Sequence, residues 1–556
     1  MSKKATLMEG PRFLSLSLHE PGMTLMHRAG LGGLACTLAA LARAVKTKSW
    51  PREQTPGWPW SSEDQPPWDV TEQSVVLDFG TPAGAQEYLQ RLFAYAFQIK
   101  DDLIYLPGQY ASEPSFEVRA FLQSGLTLTF LQHVTAKTMA KTPTAKQYDV
   151  GESAVPAEIQ YRSCSAFRHQ SGFADGFFRK DKSFNLEARI DVAGPLNPGA
   201  VVRHVGFNTD TGIDESSTTG LSLYFAIIGT IAMPVRGGQG LLIIPEVQDL
   251  KQFTRYRRHF TPTAARDCQS GSAGDAAMQA YARLSAVDAA IATKAPGCRV
   301  ITLTSLPWAS HQKSRSSVLQ VIPGGDLWLK SFRVALHCLP PRIVVPKEEP
   351  VAEAGAATPR KKAPPQKNQG PPRAWWSDSV VRPLIADNLA RQRPWYEGFL
   401  HLMTALDSNN KPIRDQLKYE TKGLHTMIKE IPWNHEGEAS IVRAVHVALR
   451  QRYGQIAADS SGPTRRKRFE KEYDKWRLGF AGAKTPDQFR NAICDLFSRA
   501  GGNAELKVAW PAVLPLLHDS RWSLTRDLAL LALASYQGKE NTEHAPPMAD
   551  PSPASS

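Results

Sequence analysis

The chain has 556 residues, too many for one ordinary core, and length alone suggests about three domains. Hydrophobic residues make up 42% and aromatics 9%, which excludes a largely disordered or fibrous chain. Lys and Arg number 66 against 53 Asp and Glu, a formal charge of +13, and such an excess points to a polyanionic partner, nucleic acid first.

In chain order, FLSLSL (13–18) alternates as a strand does, and a helix is predicted over Leu25–Val45. The longest uncharged run there, Ala29 to Ala42, is 14 residues, short of a bilayer core of ~30 Å. With a strand and Glu20 ahead of it, we expect neither a membrane span nor a signal peptide. Gly30-Leu31-Gly32-Gly33-Leu34-Ala35 satisfies G-x-G-x-x-A, but it lies inside the helix and not in a strand-to-helix turn, so no dinucleotide cofactor is expected. Glycine in a helix costs ~0.5–1 kcal/mol relative to alanine, and the usual compensation is close approach of another backbone. His27 and Arg28 stand in the first turn, where cations oppose the macrodipole. An anion bound there and plain solvent exposure account for them equally well.

Trp50 to Asp69 carries four tryptophans among prolines and is expected to be an irregular loop. Further strands are predicted at 74–79, 126–131, 200–207, 221–233, 240–247, 299–306 and 317–322, with helices at Ala83–Lys100 and Ala276–Thr293. Strands outnumber helices without alternating strictly, so the predicted class is an α+β N-terminal body with mixed or antiparallel sheets.

Three basic segments stand out in this body. The loop after AVVRHVGF carries Arg203, His204 and Asn208, and PVRGGQG carries Arg236 in a glycine-rich turn; base recognition and ordinary solvated turns both suit these compositions. KQFTRYRRHF places Lys251, Arg255, Arg257, Arg258 and His259 among Phe253, Tyr256 and Phe260. As a helix, its aromatics would share a core face and leave all the positive charge outside, which suits phosphate contact. SHQKSRSS adds Lys313 and Arg315.

Residues 345–373 are rich in Pro, Ala, Lys and Glu and read as a flexible linker, as does the tail at 541–556. Between them, 374–540 is almost wholly helical by its three-to-four spacing, a helical bundle whose charge concentrates in Arg465, Arg466, Lys467 and Arg468. The body would then occupy 1–344. Six scattered cysteines without a C-x-x-C fit a reducing cytoplasm and no zinc site. No P-loop or G-x-S-x-G occurs, and no catalytic, metal or cofactor residue is assigned.

The order of segments is itself informative: a strand, then PGMTLMHRAGLGGL, a central NPGAVVRH strand, a loop into LSLYFAIIG, then LLIIPEVQDLKQFTRYRR. This series resembles the large subunits of type I CRISPR surveillance complexes (Cascade), in the developmental-protein-like branch, over Phe13 to about Pro341. The resemblance implies a non-catalytic, cytoplasmic protein that binds guide RNA and backbone subunits, reads the protospacer-adjacent motif on double-stranded DNA and stabilises the R-loop. It further implies a bundle of small-subunit type, made separately if translation also starts internally, at Met403, Met427 or nearer Val380. A recruited helicase-nuclease or transposition proteins would be further partners. Under this resemblance Arg203, His204, Asn208 and Arg236 are expected to read the motif. Lys251, Arg255, Arg257, Arg258, Lys313 and Arg315 would hold phosphates, and His27 and Arg28 would touch guide RNA or a neighbouring subunit. The alternatives are a stand-alone nuclease or phosphohydrolase and a general RNA-binding scaffold.

Overall fold

The computed structural model describes residues 12–58, 65–151, 153–174, 176–179, 185–193, 196, 198, 213–235, 238–287, 295–305, 314–345, 373–407, 410–518 and 520–538. The chain divides into two compact units, one of residues 1–333 with 340–393 and one of 334–339 with 394–556.

The first unit is α+β. Strands β1 (Phe13–Ser17), β2 (Trp68–Val70) and β3 (Ser74–Asp78) form an antiparallel sheet in the order β1-β3-β2. Their alternation turns Leu14, Leu16, Val75 and Leu77 inward. Helix α1 (Leu25–Lys46) begins at Thr24, whose hydroxyl lies 2.7 Å from His27 Nδ1 in a capping box built with histidine. By length and composition α1 is the one helix among the described residues that would cross a membrane, but 78% of its apolar window is buried inside the protein. It is a central helix covered on most of its circumference, and such helices are apolar all round.

Helices α2 (Ala85–Ala96) and α3 (Phe116–Leu128) follow, with short hairpins β4 (Gln98–Lys100)–β5 (Leu103–Tyr105) and β7 (Thr144–Tyr148)–β8 (Ala157–Tyr161). Strand β6 (Lys137–Met139) pairs with β9 (Cys164–Phe167), and β10 (Ile190–Val192) with β11 (Ile213–Glu215). Of the predicted strand at 126–131, the first three residues are instead the end of α3, whose buried Val118, Leu122, Gly125 and Leu126 keep helical spacing, and the rest is turn.

The predicted strand at 221–233 is instead mostly helical. Helices α4 (Ser217–Tyr224) and α5 (Ala226–Gly229) occupy its first part, and only β12 (Ile231–Val235) is extended. A run buried on every side carries no periodicity to tell helix from strand. The start signal is Ser216, whose hydroxyl accepts from Thr219 N at 3.1 Å. The expected strand at 200–207 lies outside the described residues.

Strand β12 then opens a four-stranded antiparallel meander with β13 (Gln239–Pro245), β14 (Cys298–Ser305) and β15 (Ser314–Val321). Helices α6 (Leu250–Phe260), α7 (Ala273–Val287) and α8 (Asp326–Cys338) complete this part of the chain. Two later elements belong with this unit: β17 (Trp375–Ser377), paired with β16 (Arg342–Val344), and α9 (Arg382–Ala390). The second unit was expected to begin at 374, whereas the compact division falls after 393 because α9 packs on α7.

The second unit is all helical apart from its connections: α10 (Phe399–Thr404), α11 (Thr421–Glu430), α12 (Glu436–Asp459), α13 (Gly462–Gly482), α14 (Pro486–Ala500), α15 (Ala504–Val513) and α16 (Trp522–Ser535). Helix α16 is the axis, buried without a break from Asp527 to Ser535 and packed on α10 to α14. Asp527 accepts the N–H groups of Gly398 (2.7 Å) and Leu400 (3.0 Å), closing the start of α10.

Candidate nucleic-acid interface

Helix α6 is capped by Asp249, which accepts Gln252 N at 2.8 Å. Phe253, Tyr256 and Phe260 lie on its inner face in a series of edge-on contacts with centroids 5.2 and 5.3 Å apart. Gly32 of α1 makes room for this face, since a Cβ there would stand 2.6 Å from the Phe253 ring. Pinning the aromatics inward turns Lys251 and Arg255 to solvent, with Arg258 half-buried beside them. Arg258 Nε donates to His259 Nε2 at 3.2 Å, and burial, then the Arg258 charge, lowers the His259 pKa, so this imidazole is a neutral acceptor. The charge of the face is carried by Lys251, Arg255 and Arg258.

Arg257 does not join them. It is fully buried, donating to Gly229 O (3.0 Å), Thr230 O (2.5 Å) and Thr261 Oγ1 (2.7 Å). Burial lowers its pKa to about 10, which still leaves it charged at neutral pH. The expectation that all the basic side chains of this segment lie outside fails at this residue. Position 257 is four beyond Phe253 and three before Phe260, so helical geometry puts it on the core face whatever its polarity. Arg43, near the end of α1, is also exposed; burial raises the pKa of the Cys36 thiol, and the charges of Arg257, Arg43 and Arg258 act against that rise. A basic residue in the last turn of a predicted helix was the available signal for Arg43.

His27 is likewise internal. Its side chain is 2% exposed, with Nε2 3.3 Å from Glu215 Oε1 and Nδ1 at the Thr24 hydroxyl. Burial lowers its pKa, against the raising influence of Glu215 and Glu20. A neutral ring with nearby carboxylates removes the conflict with the helix macrodipole, and this burial excludes the expected guide-RNA contact in the folded state. Arg28, next to it, is partly exposed.

In the second unit, the four cations at the start of α13 differ in their partners. Arg465 Nε reaches back to Ser460 O at 2.8 Å, and Arg466 pairs with Glu470 at 3.2 Å. Lys467 and Arg468 are exposed. Arg203, His204, Asn208, Arg236 and Lys313 lie outside the described residues, as does the side chain of Arg315, whose backbone pairs with Thr304 in β15. Among the residues described, Lys251, Arg255 and Arg258 on the outer face of α6 are what the fold brings together.

Comparisons with known proteins match two separate stretches of the chain to family domains. The DevT N-terminal domain matches residues 15–224, and the DevT C-terminal domain matches residues 429–552. The CRISPR-associated protein Cas8a1/Csx13 of Myxococcus xanthus (strain DK1622) is 34% identical over 555 residues, covering 95% of this chain and 89% of that protein. The chain belongs to the family of this CRISPR-associated protein, Cas8a1/Csx13.

Proposed function

We propose that the chain is the non-catalytic large subunit of a Cascade-type, guide-RNA-directed surveillance complex of the cytoplasm. The observation that carries this is the end-to-end relation to a CRISPR-associated protein. The α6 face supports it from the chemistry: exposed cations on a rigid, aromatic-pinned helix suit phosphate contact without sequence readout. In this reading Lys251, Arg255 and Arg258, with Lys313 and Arg315, track the duplex backbone. Arg203, His204, Asn208 and Arg236 read the protospacer-adjacent motif, while guide-RNA pairing reads the remaining sequence and the protein stabilises the R-loop. The basic start of α13, with Lys467 and Arg468 exposed, serves the nucleic acid from the second unit.

The partners are guide RNA, target duplex, backbone subunits and a small subunit derived from the chain's own C-terminal region. A helicase-nuclease or transposition proteins act downstream. The test is to purify the tagged full chain from cells that carry its neighbouring genes and a repeat array. Copurification with guide RNA and backbone subunits, with no cleavage by the isolated chain, is expected. Metal-dependent cleavage by the isolated chain would overturn the reading in favour of a nuclease.

A further inference from the structure

Two hollows meet at α3, and neither is lined by a residue of α6. The first encloses about 640 Å³, and its charged lining residues are Lys137, Lys141 and Arg162, with no carboxylate among them. The second encloses about 510 Å³ and is walled by Tyr148, Trp375 and Trp376. Ala120, Ser124 and Gln160 line both, so the hollows form one groove with a cationic end and an aromatic end.

The charge is divided unevenly along it. The carboxylates at the aromatic end, Glu158 and Asp378, face Arg373 at 2.5 Å and Arg382 at 3.7 Å. At the other end Lys141 and Arg162 have no carboxylate lining the hollow beside them, and Lys137 donates to the carbonyls of Leu131 and Gln132. Burial lowers the Lys137 pKa, and Arg162 adds to that, against the raising influence of Cys164. Lys137 is half-buried while Lys141 and Arg162 are exposed, and cations gathered in a hollow that no described carboxylate lines are relieved by an anionic ligand. At the far end Trp375 stays 51% exposed although a large apolar side chain there would gain by cover.

We propose that this groove holds a short single-stranded nucleic-acid segment, with phosphates at Lys137, Lys141 and Arg162 and unstacked bases against Trp375, Trp376 and Tyr148. A cationic track beside aromatic platforms is the pairing that single strands require. A duplex has no free base face to offer the aromatic end. The inference deepens the nucleic-acid reading above but stands on different residues, so the two fail separately. RNA and DNA share this chemistry, and the probes distinguish them.

The test measures binding of the full chain to fluorescent oligo(U), oligo(dT) and a duplex across a range of salt. In Lys141→Glu/Arg162→Glu, single-strand affinity is expected to fall at least tenfold and the salt slope to drop by about 1.4, at ~0.7 for each phosphate no longer neutralised, with duplex affinity unchanged. Trp375→Ala is expected to cost about tenfold on single strands with the slope unchanged, because stacking releases no counterions. Photocrosslinking of 5-iodouracil oligonucleotides to wild-type protein, mapped by mass spectrometry, is expected to reach Trp375 or Trp376 and needs no folded variant. The larger loss, on oligo(U) or on oligo(dT), identifies the natural strand. No single-strand binding by wild type, unchanged binding in both variants, or crosslinks only elsewhere would overturn the groove. Duplex binding that depends on Arg255 and Arg258 would survive any of those results and leave the first reading standing.

Discussion

Asp275 and Arg382, 107 residues apart in sequence, form a two-pronged ion pair with neither side chain exposed: Nε to Oδ1 at 2.8 Å and Nη2 to Oδ2 at 3.1 Å. It ties α9 to α7, helped by Asp387, which accepts Gly274 N (2.8 Å) and the Ser272 hydroxyl (2.7 Å). Removing Asp275 would leave the buried Arg382 without its two-pronged partner and with Asp378 at 3.7 Å as a more distant carboxylate. Breaking a buried pair costs about 3–5 kcal/mol. Asp275→Ala should therefore lower the melting temperature clearly. A fragment ending at 393 should melt cooperatively, whereas one ending at 373 should not. Equal cooperativity in calorimetry would show that α9 is dispensable to the body.

Gly33 and Gly229 make the close helix approach that the glycine-rich segment of α1 foreshadowed. A Cβ on Gly33 would stand 2.6 Å from Gly229 N, and one on Gly30 2.7 Å from the Ser222 carbonyl carbon. Backbone cannot yield as a flexible side chain would, and overpacking costs about 1–3 kcal/mol. Gly33→Ala should destabilise by that amount in denaturant titration, despite alanine's better helix propensity. At exposed Gly454 in α12, which has nothing within 4 Å of its Cβ position, the same change should stabilise slightly.

The ion pair and the glycine approach also mark what the sequence could and could not convey. Three glycines inside an otherwise good helix announce that something comes close, but not that it is the Phe253 ring of α6 at Gly32, nor α4 and α5 at Gly30 and Gly33, which read as a strand until Ser216 is recognised as a cap. The aromatic spacing of α6 is legible because 253, 256 and 260 repeat at helical intervals. Arg257 is misplaced whenever polarity is allowed to outweigh position. The end of the first unit is hidden because the Asp275–Arg382 pair is non-local, and only the linker's composition shows locally. For the same reason the groove on α3 leaves no motif: its cations come from 137–162 and its tryptophans from beyond residue 373.

His169 should make the first unit acid-sensitive. It is fully buried among Phe97, Phe130, Phe167 and Tyr224, with ring centroids 5.4–6.3 Å away, and neither ring nitrogen has a hydrogen-bond partner among the described residues. Burial, with Arg168 adding to it, pushes its pKa down to about 3. Its folded pKa thus lies below the unfolded value near 6.5, so between them the unfolded chain binds the extra proton. Stability contributed by the neutral ring is present above pH 6.5 and is lost as pH falls toward 3, with a slope of up to about 1.4 kcal/mol per pH unit. His169→Phe should flatten that part of the stability–pH curve in urea melts. An unchanged curve would place the acid sensitivity elsewhere.

Arg255 and Arg257 are two residues apart and should behave oppositely. Arg255 is exposed on the charged face, whereas Arg257 satisfies three buried acceptors on Gly229, Thr230 and Thr261. Arg257→Met leaves those acceptors without a donor, at roughly 1–3 kcal/mol for each that water cannot reach, so the expected result is a less stable protein. Arg255→Glu should leave the melting temperature within about 2 °C, since exposed substitutions move stability little, whereas Arg258→Glu, at a half-buried position, should lower it modestly but less than Arg257→Met. The two charge reversals should weaken duplex binding across all sequences, and the salt slope should fall by about 0.9 for each phosphate left without its cation. Reversing all three arginines together would confound unfolding with weaker phosphate binding. The informative comparison is therefore Arg255→Glu/Arg258→Glu against Arg257→Met, with melting and salt-dependent binding measured on both. A binding loss in the double variant without a change in slope would mean that this face does not touch phosphate.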